Sequence, residues 1–146
     1  FPLFAGVDGN SVRDIPTGVQ QPFTAVAMPL LGTASADSLV GTDGNDRIEG
    51  LEGNDVLNGG AGADLLIGAE GADRFVVSTL TDSTRMESDR ILGFDAEDKL
   101  DLSSLGLTDG DWLLQQVAGT WQVIAPGHDF MVIVVTPQLS RAQILI

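Results

Sequence analysis

Five aspartates recur at intervals of nine residues in the middle of the chain, each a few residues after a glycine. Aspartate carboxylates are hard oxygen donors, and glycine lets the backbone bend into tight turns whose carbonyl groups point inward. Calcium takes about six to eight oxygen ligands in a flexible geometry. The pattern therefore predicts a row of calcium sites. The repeating aspartates are Asp37, Asp46, Asp55, Asp64 and Asp73, and Asp82 continues the step once more.

The segment 32–76 is a run of five nonapeptides without an insertion: GTASADSLV, GTDGNDRIE, GLEGNDVLN, GGAGADLLI and GAEGADRFV. Position 1 is always glycine, position 4 is glycine in four repeats of the five, and position 6 is always aspartate. Positions 7–9 fit a three-residue strand whose middle side chain alone faces inward. Position 8 thus predicts a narrow core between two thin sheets. Its residues are Leu39, Ile48, Leu57, Leu66 and Phe75.

One six-residue turn supplies too few oxygens for calcium, whereas two stacked turns supply enough. The repeats resemble the RTX (repeats-in-toxin) nonapeptide, a Ca²⁺-binding repeat of parallel β-helices. The resemblance implies an all-β, right-handed parallel β-roll in which the turns alternate between two sides. Each ion then lies between turns n and n+2. The implied pairs are Asp37 with Asp55, Asp55 with Asp73, Asp46 with Asp64, and Asp64 with Asp82.

Main-chain carbonyl groups of the turns complete the ligand shells in this resemblance, and about three to five Ca²⁺ ions are expected. The implied carbonyl ligands belong to Thr33, Ser35, Thr42, Gly44, Gly50, Glu52, Gly53, Gly59, Ala61, Gly62, Gly68 and Glu70. The alternative is an acidic, glycine-rich linker that stays unfolded. That alternative suits the metal-free chain, because stacked like charges repel and three-residue strands bury little apolar surface.

The stretch 82–107 extends the resemblance to the C-terminal domains of serralysin-type metalloproteases and to the R-modules of bacterial mannuronan C-5 epimerases. The pattern in those families is D-S, then D-x-I-x-D-F, then D-x-I-D-L-S, and here it is carried by Asp82-Ser83, 89–94 and 98–103. Asp89 is therefore a further metal ligand by resemblance. Gly93 stands where the pattern has an aspartate, and Asp95 could substitute for it. In the plainer interpretation the leucines of 100–107 simply cover the end of the roll, and both can hold together.

The chain has 146 residues with 21 acidic and 7 basic ones, a formal net charge of −14. This balance argues against nucleic acid and anionic membranes as partners and suits bound cations or plain solubility. Residues 32–111 carry 18 of the acids and 5 of the bases. Cysteine is absent, and no apolar run is as long as a membrane span.

Composition divides the chain into three zones. Residues 1–31 hold four of the six prolines and predict a linker or the tail of a preceding domain. Residues 32–82 are the roll, and 83–146 are a C-terminal cap with a secretion-signal region. The cap should be a region of antiparallel strands. The segments 112–125, 129–135 and 142–146 resemble strands, with a hairpin around Ala118-Gly119-Thr120. The terminal ILI weakly resembles C-terminal secretion signals.

Signatures of catalysis are missing from the sequence. It has no H-E-x-x-H motif, no thiol and no G-x-S-x-G elbow. The single histidine, His128, fits a surface loop. The many paired carboxylates are already accounted for by metal. We therefore expect a non-catalytic accessory module of a larger extracellular enzyme or adhesin.

Two sets of residues could bind a sugar polymer. Arg74, Arg85 and Arg90, together with Lys99, could form a patch for an anionic polysaccharide such as alginate, although single surface pairs with aspartates are the commoner outcome. Trp112 and Trp121 could stack on sugar rings, although packing into the core is the commoner fate of large aromatics.

The resemblance implies that extracellular Ca²⁺ folds the module after a type I secretion system has exported it from a bacterium. The folded module then supports an upstream domain of the same protein. The alternative function is an alginate-binding R-module of a mannuronan epimerase. Nucleic acid and a membrane span are not expected.

Overall fold

The computed structural model describes residues 28–146, and the linker expected over 1–31 lies almost entirely outside the described residues. Strands of the described part alternate between two sheets as the chain advances. The first eight strands are β1 (Leu30–Leu31), β2 (Ser38–Val40), β3 (Arg47–Glu52), β4 (Val56–Asn58), β5 (Leu65–Glu70), β6 (Arg74–Val76), β7 (Asp89–Leu92) and β8 (Lys99–Asp101). The last four are β9 (Leu113–Val117), β10 (Thr120–Ala125), β11 (Phe130–Val135) and β12 (Ile144–Leu145).

The odd-numbered early strands form one sheet and the even-numbered ones form the other. The seven-stranded sheet has the order β1-β3-β5-β7-β11-β10-β9, and the five-stranded sheet has the order β12-β8-β6-β4-β2. Neighbouring strands run parallel in both sheets except where β9, β10 and β11 form an antiparallel meander. This arrangement confirms the parallel β-roll with an antiparallel C-terminal region.

The nine-residue repeat sets the register of the roll. Strands in the same sheet pair at an offset of eighteen residues, so that Ile48 faces Leu66 and Leu57 faces Phe75. β2, β4 and β6 have the expected three residues, but β3 and β5 have six. The longer strands arise because Leu51 and Glu52 go on pairing with Ala69 and Glu70 beyond the third residue.

Position 8 of the repeats fills the space between the sheets, as the sequence predicted. Ile48, Leu57, Leu66 and Phe75 are all at most 1% exposed. Leu39 packs against the same core but is only half-buried, because β2 is the edge strand of the five-stranded sheet among the described residues. The core continues beyond the repeats through Ile91 and Leu100, and through Phe94, whose ring lies 5.7 Å from that of Phe75.

The roll does not end where the glycine-rich repeats end. β7 pairs with β5 and β8 pairs with β6, both in parallel, so two more strands continue the ladder past residue 82. The offset across these pairs is twenty-five residues instead of eighteen, because the connection 77–88 between β6 and β7 contains seven extra residues. The boundary predicted at 82 therefore falls inside this connection.

The C-terminal strands cover the other end of the roll. β11 lies parallel beside β7, and β12 lies parallel beside β8. β9 and β10 form the predicted hairpin, in which Ala118 and Gly119 adopt positive φ angles of 51° and 81°. Short 3₁₀ segments lie at Ser103–Leu105 and Arg141–Gln143. In the described part of the chain, no helix has the length and hydropathy that crossing a bilayer would need.

Candidate calcium sites

The position-6 aspartates form two columns, one along each side of the roll. In the first column the main-chain N–H of Asp37 donates to Asp55 Oδ1 at 2.8 Å, and Asp55 and Asp73 donate in the same way to the next member. In the second column Asp46 donates to Asp64 Oδ1 at 2.8 Å, and Asp64 donates to Asp89 Oδ1 at 3.0 Å. The first column is Asp37, Asp55, Asp73 and Asp98. The second column is Asp46, Asp64 and Asp89.

The columns correct one expected pair. Asp64 was expected to pair with Asp82, but the carboxylate below Asp64 belongs to Asp89. The extra residues of 77–88 displace Asp82 from the column, and its carboxylate instead accepts the N–H groups of Ser78 and Thr79. Asp82 still lies near enough for its negative charge to contribute to raising the pKa of Asp64.

Sequence reasoning missed Asp98 as a member of the first column. Its Oδ1 accepts the N–H of Asp73 at 2.8 Å. The glycines of the repeat are absent before it, but Asp98-Lys99-Leu100 keeps the order aspartate, any residue, large apolar residue that closes every repeat. The same order marks Asp89-Arg90-Ile91, nine residues earlier. That nine-residue step could have identified the residue.

Three carboxylates of the columns contain an oxygen that has no partner. Asp55, Asp64 and Asp73 are at most 2% exposed, and the Oδ2 atom of each is buried without a hydrogen bond. A buried, unpaired carboxylate oxygen is costly because it has lost its hydration. Burial raises the pKa of Asp64 and that of Asp73 to about 6, against the N–H donors that lower them. A cation beside each Oδ2 would remove this cost.

Asp89 and Asp98, the last members of the two columns, also have carboxyl groups whose pKa is raised by burial. Burial raises the pKa of Asp89 to about 8, and the negative charges of Asp64 and Asp82 contribute in the same direction. Burial also raises the pKa of Asp98, and the charges of Asp95 and Glu97 add to it. Both columns therefore concentrate negative charge that nothing basic neutralises within them.

The glycines form close-fitting walls around these carboxylates. A Cβ atom on Gly50, Gly59 or Gly68 would collide with the carboxylate of the aspartate five residues later in the same turn. Position 4 packs against the turn eighteen residues earlier, since a Cβ on Gly53 would lie 2.7 Å from the carbonyl oxygen of Ser35. Only glycine, which has no Cβ, allows the backbones of two stacked turns to approach this closely.

Several of the predicted carbonyl ligands meet the turn above or below them. The carbonyl oxygens that face a glycine of the stacked turn are those of Ser35, Thr42, Gly44, Gly50, Gly53, Gly59 and Gly68. The carbonyl of Glu70 accepts the N–H of Gly53, and it is thus already engaged in holding two turns together. Thr33, Glu52, Ala61 and Gly62 lie in the same set of turns.

Within residues 28–146, no three acidic, histidine or cysteine side chains converge on one point. A cation in these columns must therefore be held by one or two carboxylates together with main-chain oxygens. This donor set suits calcium, which accepts carbonyl oxygens and irregular geometry, better than zinc, which takes side-chain nitrogen and sulfur ligands.

Two asparagines at position 5 hold the stacked turns in place, and the sequence analysis did not single them out. Asn45 Oδ1 accepts the N–H of Ala63, and Asn54 Oδ1 accepts the N–H of Ala72, both at 2.9 Å and eighteen residues away. The G-N-D triplet in two of the repeats was the available signal. These amides bind neighbouring turns without adding charge.

The basic residues proposed for a polysaccharide patch do not lie together. Arg74 and Lys99 are register partners on the five-stranded sheet, and Arg74 Nε donates to Asp101 Oδ2 at 2.9 Å. Arg90 lies on the seven-stranded sheet, and Arg85 lies in the connection 77–88, 4.0 Å from Asp129. Among these four basic residues, Arg74 and Lys99 are the two that the strand register places side by side.

The tryptophans and the histidine occupy the positions that the plainer interpretations predicted. Trp112 is 2% exposed within the core, and the guanidinium carbon of Arg141 lies 3.9 Å from its ring centroid. Trp121 is half-buried and packs against the same core. His128 is exposed in the turn between β10 and β11.

Comparison with known proteins agrees with this geometry. A family model described as the RTX calcium-binding nonapeptide repeat, in four copies, matches residues 31–66 and 40–75. A search of the curated proteins finds no match. Among solved structures, the AlgE6R2 subunit of the mannuronan C5-epimerase from Azotobacter vinelandii is 32% identical, with a TM-score of 0.57, and the alignment covers 83% of this chain and 94% of that one.

A second subunit of the same epimerase, AlgE6R3, is 30% identical, with a TM-score of 0.52. That alignment covers 84% of this chain and 82% of the subunit. Both similarities extend through the C-terminal strands as well as the repeats, since the repeats alone make up less than a third of the chain.

Proposed function

The chain belongs to the family of RTX calcium-binding nonapeptide-repeat modules, and from this premise we propose that calcium ions bind in the two aspartate columns and drive the folding of the roll. The observation that carries the proposal is the set of three buried Oδ2 atoms, on Asp55, Asp64 and Asp73, that have no hydrogen-bond partner. When bound, calcium supplies the positive charge that these oxygens lack. The chain supplies stacked carbonyl oxygens and a glycine-walled space of fixed shape.

The number of ions follows from the pairs in each column. The first column offers three successive pairs of carboxylates, and the second offers two. About three to five ions would therefore bind, in keeping with the flexible coordination of calcium. Four or five ions would bring about +8 to +10 of charge and reduce the net −14 to roughly −6 to −4.

This dependence on calcium has a physiological use in a secreted protein. Where calcium is scarce, the stacked carboxylates within each column repel one another and the chain stays unfolded, which suits passage through a type I secretion channel. Outside the cell, calcium is available at the concentrations that weak extracellular calcium modules require. We propose that the chain is a non-catalytic module of a secreted bacterial protein and that its folding supports an upstream domain.

Calcium titration by circular dichroism tests the proposal directly. The full chain in EGTA should lack most of its strand signal, and adding calcium should restore the signal while the same concentration of magnesium should not. Magnesium demands a stricter octahedral geometry and gives up its water reluctantly, so it suits these irregular shells poorly. A strand signal that is the same with and without calcium would refute the proposal.

A pair of variants localises the effect. Asp64 is placed to serve two ions of the second column, as Asp55 is in the first, so Asp64→Asn should raise the half-saturating calcium concentration at least about tenfold. Asp111→Asn is the control, because Asp111 accepts hydrogen bonds from Thr108 in an exposed turn outside the columns. Equal shifts in the two variants would argue against binding in the columns.

A second candidate function is the binding of an anionic polysaccharide such as alginate. It is favoured by the similarity to epimerase R-module subunits along most of the chain and by the adjacent Arg74 and Lys99. Alginate oligomers should then shift amide signals near these two residues in the calcium-loaded module. Arg74→Ala/Lys99→Ala should abolish the shifts, whereas Arg90→Ala, on the opposite sheet, should not. No shifts at millimolar oligomer would remove this candidate.

A further inference from the structure

The five repeat turns fall into two conformational classes. Turns 50–55, 59–64 and 68–73, here called the open turns, contain positive φ angles at positions 2 and 4. The position-2 residues are Leu51 at 80°, Gly60 at 89° and Ala69 at 81°, followed at position 4 by Gly53, Gly62 and Gly71. Turns 32–37 and 41–46, here called the closed turns, contain no residue with positive φ.

The two closed turns are held by the same hydrogen-bond network. The N–H of Thr33 donates to Asp37 Oδ2 at 2.6 Å, and its hydroxyl donates to the same oxygen at 2.8 Å. Nine residues later, Thr42 makes both bonds to Asp46 Oδ2, at 2.6 and 2.9 Å. In each turn the threonine hydroxyl also accepts the N–H of the position-4 residue at 3.1 Å.

The open turns lack this network because their position-2 peptide is turned away. The corresponding oxygens, Oδ2 of Asp55, Asp64 and Asp73, have no partner and are buried. Leu51 and Ala69 hold positive φ angles of 80° and 81°, a left-handed conformation that is strained for a residue with a side chain. Strain of this kind persists only where the surroundings favour it, and in these turns it keeps one carboxylate oxygen free.

We propose that Thr33 and Thr42 set the order in which this module takes up calcium, by occupying the carboxylate oxygen that a cation in the outermost turns would need. The inner pairs of each column, below Asp55 and Asp64, bind first. The outermost ion on each side, between Asp37 and Asp55 and between Asp46 and Asp64, binds only at higher calcium, after the threonine has released its aspartate. The inference rests on the proposed calcium function and adds to it a residue-level control of affinity.

The difference in exposure supports the same order. Asp37 and Asp46 are half-buried, whereas the aspartates of the open turns are at most 2% exposed. A carboxylate that already accepts two hydrogen bonds and still touches water gains less from a cation than one that is buried and unpaired. The two closed turns should therefore be the last to bind an ion as calcium rises.

Residue-resolved NMR of the full chain during a calcium titration tests the order. Amide signals of the three open turns should reach their folded positions at lower calcium than those of residues 33–46. The double variant Thr33→Gly/Thr42→Gly gives both closed turns the Gly-Gly start that the repeat at Gly59-Gly60 has. The calcium concentration at the midpoint of the outer turns should then fall about tenfold and coincide with the midpoint of the open turns. A fall of this size is about 1.4 kcal/mol, the scale of a hydrogen bond to a charged group.

A matched control exists outside the columns. Thr108 donates its N–H and its hydroxyl to Asp111 Oδ2, both at 2.8 Å, so Thr108→Gly removes the same kind of hydroxyl bond to an aspartate in a turn that belongs to neither column. It should leave both midpoints unchanged. A single step for all five turns in the unsubstituted chain, or an unchanged outer midpoint in the double variant, would overturn the order. No calcium-dependent signals at all would instead refute the calcium function itself.

Introducing threonine into an open turn tests the same idea if the double glycine variant does not fold. Leu51 is 40% exposed, so its replacement removes little buried surface. Leu51→Thr introduces a β-branched residue that resists positive φ and can close turn 50–55 onto Asp55, which should raise the midpoint of that turn about tenfold. Leu51→Gly, which keeps the turn open, should not raise it. Equal midpoints in these two variants would contradict the role given to position 2.

Discussion

The roll and the C-terminal meander share one apolar core but differ in what they bury besides it. Every buried charged residue of the described chain lies between Asp55 and Asp101, in the part with the aspartate columns. The meander buries apolar residues such as Trp112, Phe130 and Val132, and its one buried polar residue is Thr136. The roll therefore has a stability that its solvent can change, whereas the meander depends on apolar contacts that calcium and protons do not affect.

Lowering the pH without calcium should produce the largest difference between the two regions. Burial raises the pKa of Asp64 and of Asp73 to about 6 and that of Asp89 to about 8, from a model-peptide value of 3.8. These groups bind protons more tightly when folded, so their favourable contribution is complete below pH 3.8 and is lost as the pH rises to about 8. In calcium-free buffer, strand signal should therefore grow between pH 8 and pH 5.

Saturating calcium should reverse this trend, because protons then compete with the ion for the same carboxylates. Circular dichroism at both pH values, with and without calcium, measures all four conditions. A calcium-free signal that weakens toward pH 5 would show that the columns are not the groups that destabilise the roll.

Truncation in the meander should be costly whatever the solvent. Phe130 in β11 is fully buried in the core, and Phe130→Ala should lower the free energy of unfolding by about 3–5 kcal/mol in urea titrations. The loss should be similar at saturating calcium at any pH that keeps the roll folded. Met86→Ala is the control, since Met86 is 91% exposed and its replacement should cost less than about 0.5 kcal/mol. If more calcium abolished the loss of unfolding free energy in Phe130→Ala, the stability of the meander would depend on calcium as that of the roll does.

A methyl group between two stacked turns should destabilise the roll through close approach rather than through charge. Gly71 has a φ of 127°, and a Cβ there would collide with the carbonyl of Gly53. Gly71→Ala should cost about 3 kcal/mol, combining strain and overpacking. Gly106→Ala separates the two causes, because Gly106 has a φ of 70° but open space around it, and it should cost only about 1–2 kcal/mol. Equal costs would mean that the close approach of Gly71 to the carbonyl of Gly53 contributes little to the stability of the roll.

The smallest effect should come from the ion pair on the outer face of the roll. Arg74 is half exposed, and its partner Asp101 also accepts the N–H and hydroxyl of Ser103. Those bonds and the charge of Arg74 keep the pKa of Asp101 lowered despite its burial. Arg74→Ala should therefore change the free energy of unfolding by about 0.2–1 kcal/mol in urea titrations. A larger decrease in the free energy of unfolding would mean that this surface ion pair stabilises the roll about as much as the aspartate columns do.

The nine-residue period of the sequence predicted most of the strand pairing and core of the roll. A fixed nine-residue period determines which residues pair, so Ile48 and Leu66 could be assigned to the core and to neighbouring strands from spacing alone. The hairpin around Ala118 could also be predicted, since a short glycine-containing turn separates two strand-like segments in a region rich in β-branched residues. Spacing alone suffices within the repeats because neighbouring strands of one sheet are eighteen residues apart there.

The same arithmetic failed where the period is interrupted. Seven extra residues in 77–88 moved Asp82 out of the second column and brought Asp89 in, and no propensity rule reveals how an insertion is accommodated. The division into open and closed turns was also invisible, because it depends on backbone φ angles at position 2. The arginines were grouped by sequence proximity, yet successive strands alternate between sheets and therefore separate Arg74 from Arg90.

The alternation of strands between two sheets has a consequence for how such a module joins whatever precedes it. Each nonapeptide advances the chain by half a coil, so β1 lies in the seven-stranded sheet and β2 lies in the five-stranded one. The meander fixes the far end, and growth or loss of repeats can occur only ahead of it. If one repeat is added or lost, the preceding polypeptide enters the roll on the side of the other sheet. If two repeats are added or lost, it enters on the same side, and only the length of the roll changes. Whether the number of repeats is odd or even thus determines on which side of the roll a preceding domain would be attached.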